Sequence, residues 1–231
     1  MKDTRSRDLL TGIVLLAAFA LWTVLIQHID VRNAGPNETA VGFAAFNMWF
    51  HRFTGVHMVI YTITDWLGLV PIIICMCFGM LGLVQLIKRR SLLKVDPDIL
   101  LLGAYYLLII GGYLLFEMVP INYRPILIDG NLEASYPSST TLLVLSVMPT
   151  LKYQADRRIA NPIVKNAITI FVILFSAFMV IGRLFSGVHW ATDIIGSVFL
   201  SSGLFMIYRS MVLYSTQKKP FPKSEAKNGV Q

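Results

Sequence analysis

The 231-residue chain is 55% hydrophobic and only 14% charged, with a formal net charge of +7. Soluble domains usually carry about 25% charged residues, so the composition excludes an ordinary soluble enzyme. The positive balance does not indicate nucleic-acid binding, because most basic residues flank apolar runs, where membrane topology accounts for them.

Six apolar segments follow one another, and the chain reads as an all-α integral membrane protein, a six-transmembrane-helix bundle. The first, 9–27, follows Lys2, Arg5 and Arg7. It is longer than a signal-peptide core and no small-residue cleavage site follows it, so it reads as an uncleaved span. An outer segment, 29–66, comes next. Its part from Phe46 to Trp66 mixes aromatic and polar residues and reads as an interfacial amphipathic stretch at headgroup depth. The second span is predicted at 67–87, with Cys75 and Cys77 as packing residues, and the third at 99–119. The fourth, 138–151, is short and opens with hydroxyl residues, which points to burial within the bundle. The fifth and sixth are predicted at 163–181 and 191–213, with Gly196, Ser197 and Gly203 as small packing residues in the last. Residues 1–214 thus form one membrane domain. The polar stretch 215–231 is predicted to be a disordered basic cytoplasmic tail.

All of the 20 basic residues except Arg32, Arg52, Arg124 and Arg183 fall on one side of this layout. By the positive-inside rule that side is cytoplasmic, and both termini lie there. Arg124 and Arg183 then sit on the far side, within three polar outer segments. The first is NYRP, Asn122–Pro125. The second is YPSSTT, Tyr136–Thr141, which has the proline and hydroxyl residues of a helix start. A helix N-terminus with free N–H groups attracts anions, and two arginine forks suit phosphate oxygens. The third is RLFSGVHWATD, Arg183–Asp193. On a helix, His189 and Asp193 would share a face, and a carboxylate beside one imidazole nitrogen raises the basicity of the other. These parts read as a phosphoryl-transfer site at the outer interface. His28, His51 and His57 read as structural or interfacial.

The three segments resemble the signature of the type 2 phosphatidic acid phosphatase superfamily, KxxxxxxRP, PSGH and SRxxxxxHxxxD. Arg124 and Pro125 match the first part, and Pro137 and Ser138 the second. Ser139 stands at the glycine position. Arg183, His189 and Asp193 match the third part, with Gly182 in place of its serine. The resemblance implies that His189 attacks phosphorus to form a phosphohistidine and that Asp193 orients it. It implies that Arg124, Ser138, Ser139 and Arg183 hold the phosphate, and that no metal or other cofactor is needed. The substrate would be a lipid phosphate in the bilayer, with no nucleic acid involved. The implied location is a cell membrane, such as a bacterial inner membrane, with the site on the extracytoplasmic face.

Two positions depart from the pattern. Glu117 stands where the superfamily has its lysine, and it is expected to pair with an arginine. Asp129 and Glu133 read as solvated loop charges, with binding of a cation that accompanies a diphosphate as the alternative. Thr140 stands where the superfamily has the histidine that protonates the leaving oxygen, as a natural or engineered replacement. General acid catalysis is typically worth about 10²–10⁴-fold. A leaving phosphate ester, whose second pKa is about 6, departs without a proton more readily than an alkoxide does. The expected substrate is therefore a lipid diphosphate, preferably a polyprenyl diphosphate of cell-envelope synthesis. The alternatives are a catalytically silent lipid-phosphate binder and a phosphotransferase acting on a lipid alcohol.

Overall fold

A computed structural model describes residues 2–218. Helix α1, Lys2–His28, is followed by a small antiparallel hairpin, β1 Arg32–Asn33 against β2 Ala40–Val41. Helices α2, Ala44–Thr54, and α3, Met58–Leu67, come next, and Gly68 alone separates α3 from α4, Leu69–Arg89. The bundle is completed by α5, Pro97–Met118, α6, Ser139–Arg158, α7, Pro162–Phe185, and α8, Ala191–Lys218.

Among the described residues, five stretches are long and apolar enough to cross a membrane: α1, α3 with α4, α5, α7 and α8. Large apolar side chains such as Leu10, Met76, Leu107 and Leu174 lie exposed on them, as expected where lipid replaces water. Helix α6 has the length of a span without the apolarity. Its Ser146, Thr150 and Gln154 are buried, and polar groups in hydrocarbon need partners. Tyrosines on neighbouring helices supply them for Thr150 and Gln154: Tyr106 hydroxyl meets Thr150 Oγ1 at 2.7 Å, and Gln154 donates to Tyr208 at 2.8 Å. Tyr105 donates to the Ser146 backbone carbonyl at 3.1 Å, while the Ser146 hydroxyl has no partner among the described residues.

Helix α8 is the centre of the bundle. Of its most apolar window 56% is buried, against at most 28% for the other apolar spans. It packs along α1 and against α5 and α6. Small residues permit the close approach: a Cβ on Gly203 would stand 2.9 Å from Leu16 Cδ2.

The two ends of the bundle differ in charge chemistry. At one end, buried Asp8 takes two bonds from Arg209, at 2.7 and 3.0 Å, and Arg158 donates to buried Asp98 at 2.7 Å. Asp98 opens α5, whose 22 residues span about 33 Å. Glu117 and the candidate site lie at the other end.

The sequence expectation needs four corrections. Only α2 matches an interfacial segment, because α3 runs on into α4 as one 32-residue apolar stretch. Helix α6 continues to Arg158 rather than ending near 151, its polar face being sheltered by neighbours. Helix α7 reaches Phe185, which places Arg183 in its last turn. Helix α8 extends to Lys218, so residues 215–218 are helical; the rest of the predicted tail lies outside the described residues.

Candidate active site

His189 lies in the loop joining α7 to α8, not on a helix. Gly187 opens this loop at φ +72, and the Gly55 backbone occupies the space a Cβ would need. Only glycine combines that left-handed conformation with so close an approach. The loop is braced on both sides. His57 N–H donates to the Ser186 carbonyl at 2.9 Å, His51 Nε2 lies 3.0 Å from the Gly187 carbonyl, and Trp190 Nε1 donates to Tyr123 O at 2.8 Å.

Asp193, fully buried in the first turn of α8, does not touch the imidazole directly. His189 Nδ1 is 3.8 Å from Asp193 Oδ2. The Ser135 hydroxyl stands between them: it donates to Asp193 Oδ2 and lies 3.3 Å from His189 Nδ1. Trp190 N–H donates to the same carboxylate oxygen at 2.9 Å, and Asn122 Nδ2 to the other at 3.3 Å. Since a carboxylate only accepts, the Ser135 proton points to Asp193. The Ser135 oxygens then accept from Nδ1–H, the carbonyl at 3.2 Å. This network assigns the proton to Nδ1 and leaves a lone pair on Nε2. His189 is 3% exposed and its Nε2 has no partner. Burial pushes its pKa down to about 4, against the raising effect of the nearby Asp193 carboxylate, and Arg124 and Arg183 lower it further. The imidazole is neutral at pH 7 and nucleophilic at Nε2.

The two arginines take different positions. Arg124, 8% exposed, lies in the loop after α5, with Nε 3.1 Å from Glu133 Oε2. Its Nε and Nη1 lack hydrogen-bonding partners. Arg183, 1% exposed, donates to Thr140 Oγ1 at 2.5 Å and to Asp65 Oδ1 at 3.1 Å. Both guanidinium groups pack on the Tyr61 ring, at 5.9 and 4.8 Å from its centroid.

A cavity of about 230 Å³ opens beside these groups. Its polar wall is formed by Glu117, Arg124, Glu133, Ser139 and His189, and its apolar wall by Tyr113, Phe116, Tyr136 and Leu142. Tyr113 is one helical turn along α5 from Glu117, so the apolar wall descends toward the membrane-spanning part of the bundle. Tyr136 is held by Thr23, whose hydroxyl lies 2.7 Å away, and its ring fills the space beside Gly196.

Of the residues singled out from the sequence, Arg124, Ser139, His189 and Glu117 line this cavity. Arg183 and Thr140 are joined to each other beside it. Ser138 serves another purpose: its hydroxyl donates to Thr141 Oγ1 at 3.1 Å, its N–H meets the Asp193 carbonyl at 3.4 Å, and its carbonyl accepts from Ser197 at 3.0 Å. It ties the start of α6 to the start of α8 instead of capping the helix. The arginine partner expected for Glu117 is taken by Glu133, a residue read as a solvated loop charge. Asp129 is not among the cavity residues. His57 Nε2 lies 2.8 Å from the Thr54 carbonyl.

Sequence reasoning missed Ser135, Asn122, Tyr61 and Asp65. Ser135 precedes the YPSSTT segment by one residue, and Asn122 opens NYRP, so proximity to both motifs was their only signal. Tyr61 and Asp65 come from a segment with no chemical motif.

The sequence profile of the PAP2 superfamily matches residues 104–217, which hold the cavity, both arginines, His189 and Asp193. The fold is similar to that of a solved structure described as the first transmembrane PAP2-type phosphatidylglycerolphosphate phosphatase from Bacillus subtilis. The identity is 18% and the TM-score 0.57, over 92% of this chain and 99% of that one. A comparison with curated protein sequences gave no match. A helical membrane bundle with a buried histidine facing a cavity lined by an arginine, within a matched phosphatase superfamily profile, defines a membrane-embedded phosphatase. The chain belongs to the PAP2, or type 2 phosphatidic acid phosphatase, superfamily.

Proposed function

We propose that the protein hydrolyses a lipid phosphate by double displacement at the extracytoplasmic face of a cell membrane, with a polyprenyl diphosphate as the preferred substrate. The observation that carries this reading is the unpartnered, buried Nε2 of His189, facing a cavity that also holds Arg124. Such an atom is costly to bury without a ligand. The Nε2 lone pair attacks phosphorus, the P–O bond to the leaving group breaks, and its electron pair departs with that oxygen. Water then attacks the phosphohistidine, releasing phosphate and restoring the imidazole. Arg124 and the first N–H groups of α6 stabilise the equatorial oxygens. Arg183 adds its charge from beside Thr140.

The apolar wall supports a lipid substrate. Tyr113, Phe116 and Leu142 continue from the polar wall along α5 and α6, offering a path for the first carbons of a tail. The likeness to a phosphatidylglycerolphosphate phosphatase fold agrees with a substrate of that general kind. The basic clusters at the opposite end of α5 support the outward orientation.

Purified protein should release phosphate from a polyprenyl diphosphate, and His189→Ala should abolish the release. An acid-labile, base-stable phosphoprotein should appear in single-turnover labelling. Tight lipid binding with no turnover would instead favour a silent binder. Recovery of label on added lipid alcohol would favour a phosphotransferase.

A further inference from the structure

We propose that Tyr61, on α3, is a positioning residue that holds Arg124 and Arg183 at the phosphate site, and that Gly182 leaves the room α3 needs to bring it there. The inference rests on the phosphatase reading and deepens it.

The two arginines come from separate parts of the chain, the loop after α5 and the last turn of α7. Their like charges repel, and each is drawn toward a carboxylate, Glu133 for Arg124 and Asp65 for Arg183. A single ring meets both. The Arg124 and Arg183 guanidinium carbons lie 5.9 and 4.8 Å from the Tyr61 centroid, inside the ~6 Å reach of a cation–π contact. An aromatic face attracts a cation without taking its N–H donors and without cancelling its charge. A carboxylate in the same place would do both. Arg124 Nη1 and Arg183 Nε accordingly remain without hydrogen-bonding partners, on residues 8% and 1% exposed. Buried donors left in that state await an acceptor, and a phosphate oxygen entering beside His189 supplies it.

Helix α3 reaches the site through its packing on α7. Tyr61 and Asp65 stand four residues apart and so share one face of α3. Asp65 tethers the Arg183 guanidinium at 3.1 Å, but its side chain is 58% exposed, and a solvated ion pair holds weakly. The ring is the firmer hold. Its place is set at Gly182, where a Cβ would stand 2.7 Å from Thr64 Cγ2 and 3.6 Å from Ile60 Cγ2. Thr64 cannot turn aside. It is fully buried and branched at Cβ, and its hydroxyl donates to the Ile60 and Tyr61 carbonyls at 2.8 and 3.0 Å. A side chain at 182 therefore pushes the Tyr61 turn of α3 away from Arg183. The superfamily pattern has serine at this position, so the glycine departs from it in step with the aromatic support that α3 provides.

The test uses the purified full-length protein and a probe that needs no turnover. Binding of orthovanadate, a tetrahedral oxyanion of phosphate shape, is measured by calorimetry, beside kcat/KM on farnesyl diphosphate. Tyr61→Phe keeps the ring and should stay within ~2-fold of the parent in both, while Tyr61→Leu should weaken both by ~5–30-fold, as loss of two partly desolvated cation–π contacts would. Gly182→Ser restores the pattern residue, yet it should weaken vanadate binding. Adding Thr64→Ser, which deletes the obstructing Cγ2 and keeps the hydroxyl, should restore the binding. Partial misfolding lowers the number of sites the calorimeter counts and leaves their Kd unchanged, so the two effects separate. Equal losses in Tyr61→Phe and Tyr61→Leu overturn the proposal, as does parent-like vanadate affinity in Tyr61→Leu. A Gly182→Ser defect that Thr64→Ser does not relieve overturns the part assigned to Gly182. A parent that binds vanadate without turning over lipid removes the hydrolase reading and leaves the Kd comparison to decide this one. A parent that binds no vanadate overturns both.

Discussion

Thr140 accepts a hydrogen bond from Arg183 at 2.5 Å, so the hydroxyl nearest the expected acid position is held by a guanidinium group. Its remaining proton can bond a phosphate oxygen, but it cannot serve as a general acid near neutrality. Thr140→His should therefore raise turnover of a lipid monophosphate more than that of a lipid diphosphate. The difference should be at least ~10-fold, the lower part of the range for acid catalysis. Paired kcat measurements on two lipids with a common tail decide the matter, and equal rescue would refute the leaving-group argument.

Ser135 bridges His189 and Asp193, which are otherwise 3.8 Å apart. Ser135→Ala should lower kcat by ~10–100-fold, as loss of an outer-sphere hydrogen bond does, with little change in KM. A structural role alone would instead lower the amount of folded protein at constant kcat. Gel filtration beside steady-state kinetics separates the two.

His189 predicts a particular pH dependence. Its pKa of about 4 in the folded protein lies below the ordinary value near 6.5, so the unfolded chain binds the proton more readily. Stability is fully present above pH 6.5, falls as the pH drops toward 4, and levels off below that. The loss should reach about 3 kcal/mol at most. Thermal unfolding in detergent should show this slope in the parent protein and a shallower one in His189→Gln. The kcat/KM of the parent should also show no His189 titration between pH 5 and 7.

Gly196 gives the Tyr136 ring its place against α8. Gly196→Val should displace that ring and distort the apolar wall of the cavity. A cost of about 1–3 kcal/mol is expected for overpacking, along with a raised KM for the lipid substrate. An unchanged melting temperature and KM would show that the ring has room to move.

Asp8 and Arg209 join α1 to α8 through two bonds at the end of the bundle opposite the cavity. Asp8→Asn should reduce stability by about 1–3 kcal/mol, the range for a hydrogen-bonded charge left without its partner. Catalytic constants should not change, because Arg209 lies about five helical turns along α8 from the loop that holds His189. Unfolding curves and kinetics on the same preparation test both statements.

The sequence by itself determined the class of protein and the chemical elements of its site. Apolar runs dictate helices in lipid because every backbone group there must be satisfied within the segment. The offsets among Arg183, His189 and Asp193 carried the phosphatase resemblance without any knowledge of their contacts. Tertiary structure alone decided how those residues are used. Ser135 enters between His189 and Asp193 because the loop before α6 folds against the start of α8. Asp65 reaches Arg183 because α3 packs on α7. Glu133 takes Arg124 because the chain turns back at residues 128–131 and pairs Tyr123 with Ala134. Each is a contact between segments distant in sequence, and periodicity and spacing describe only neighbours along the chain.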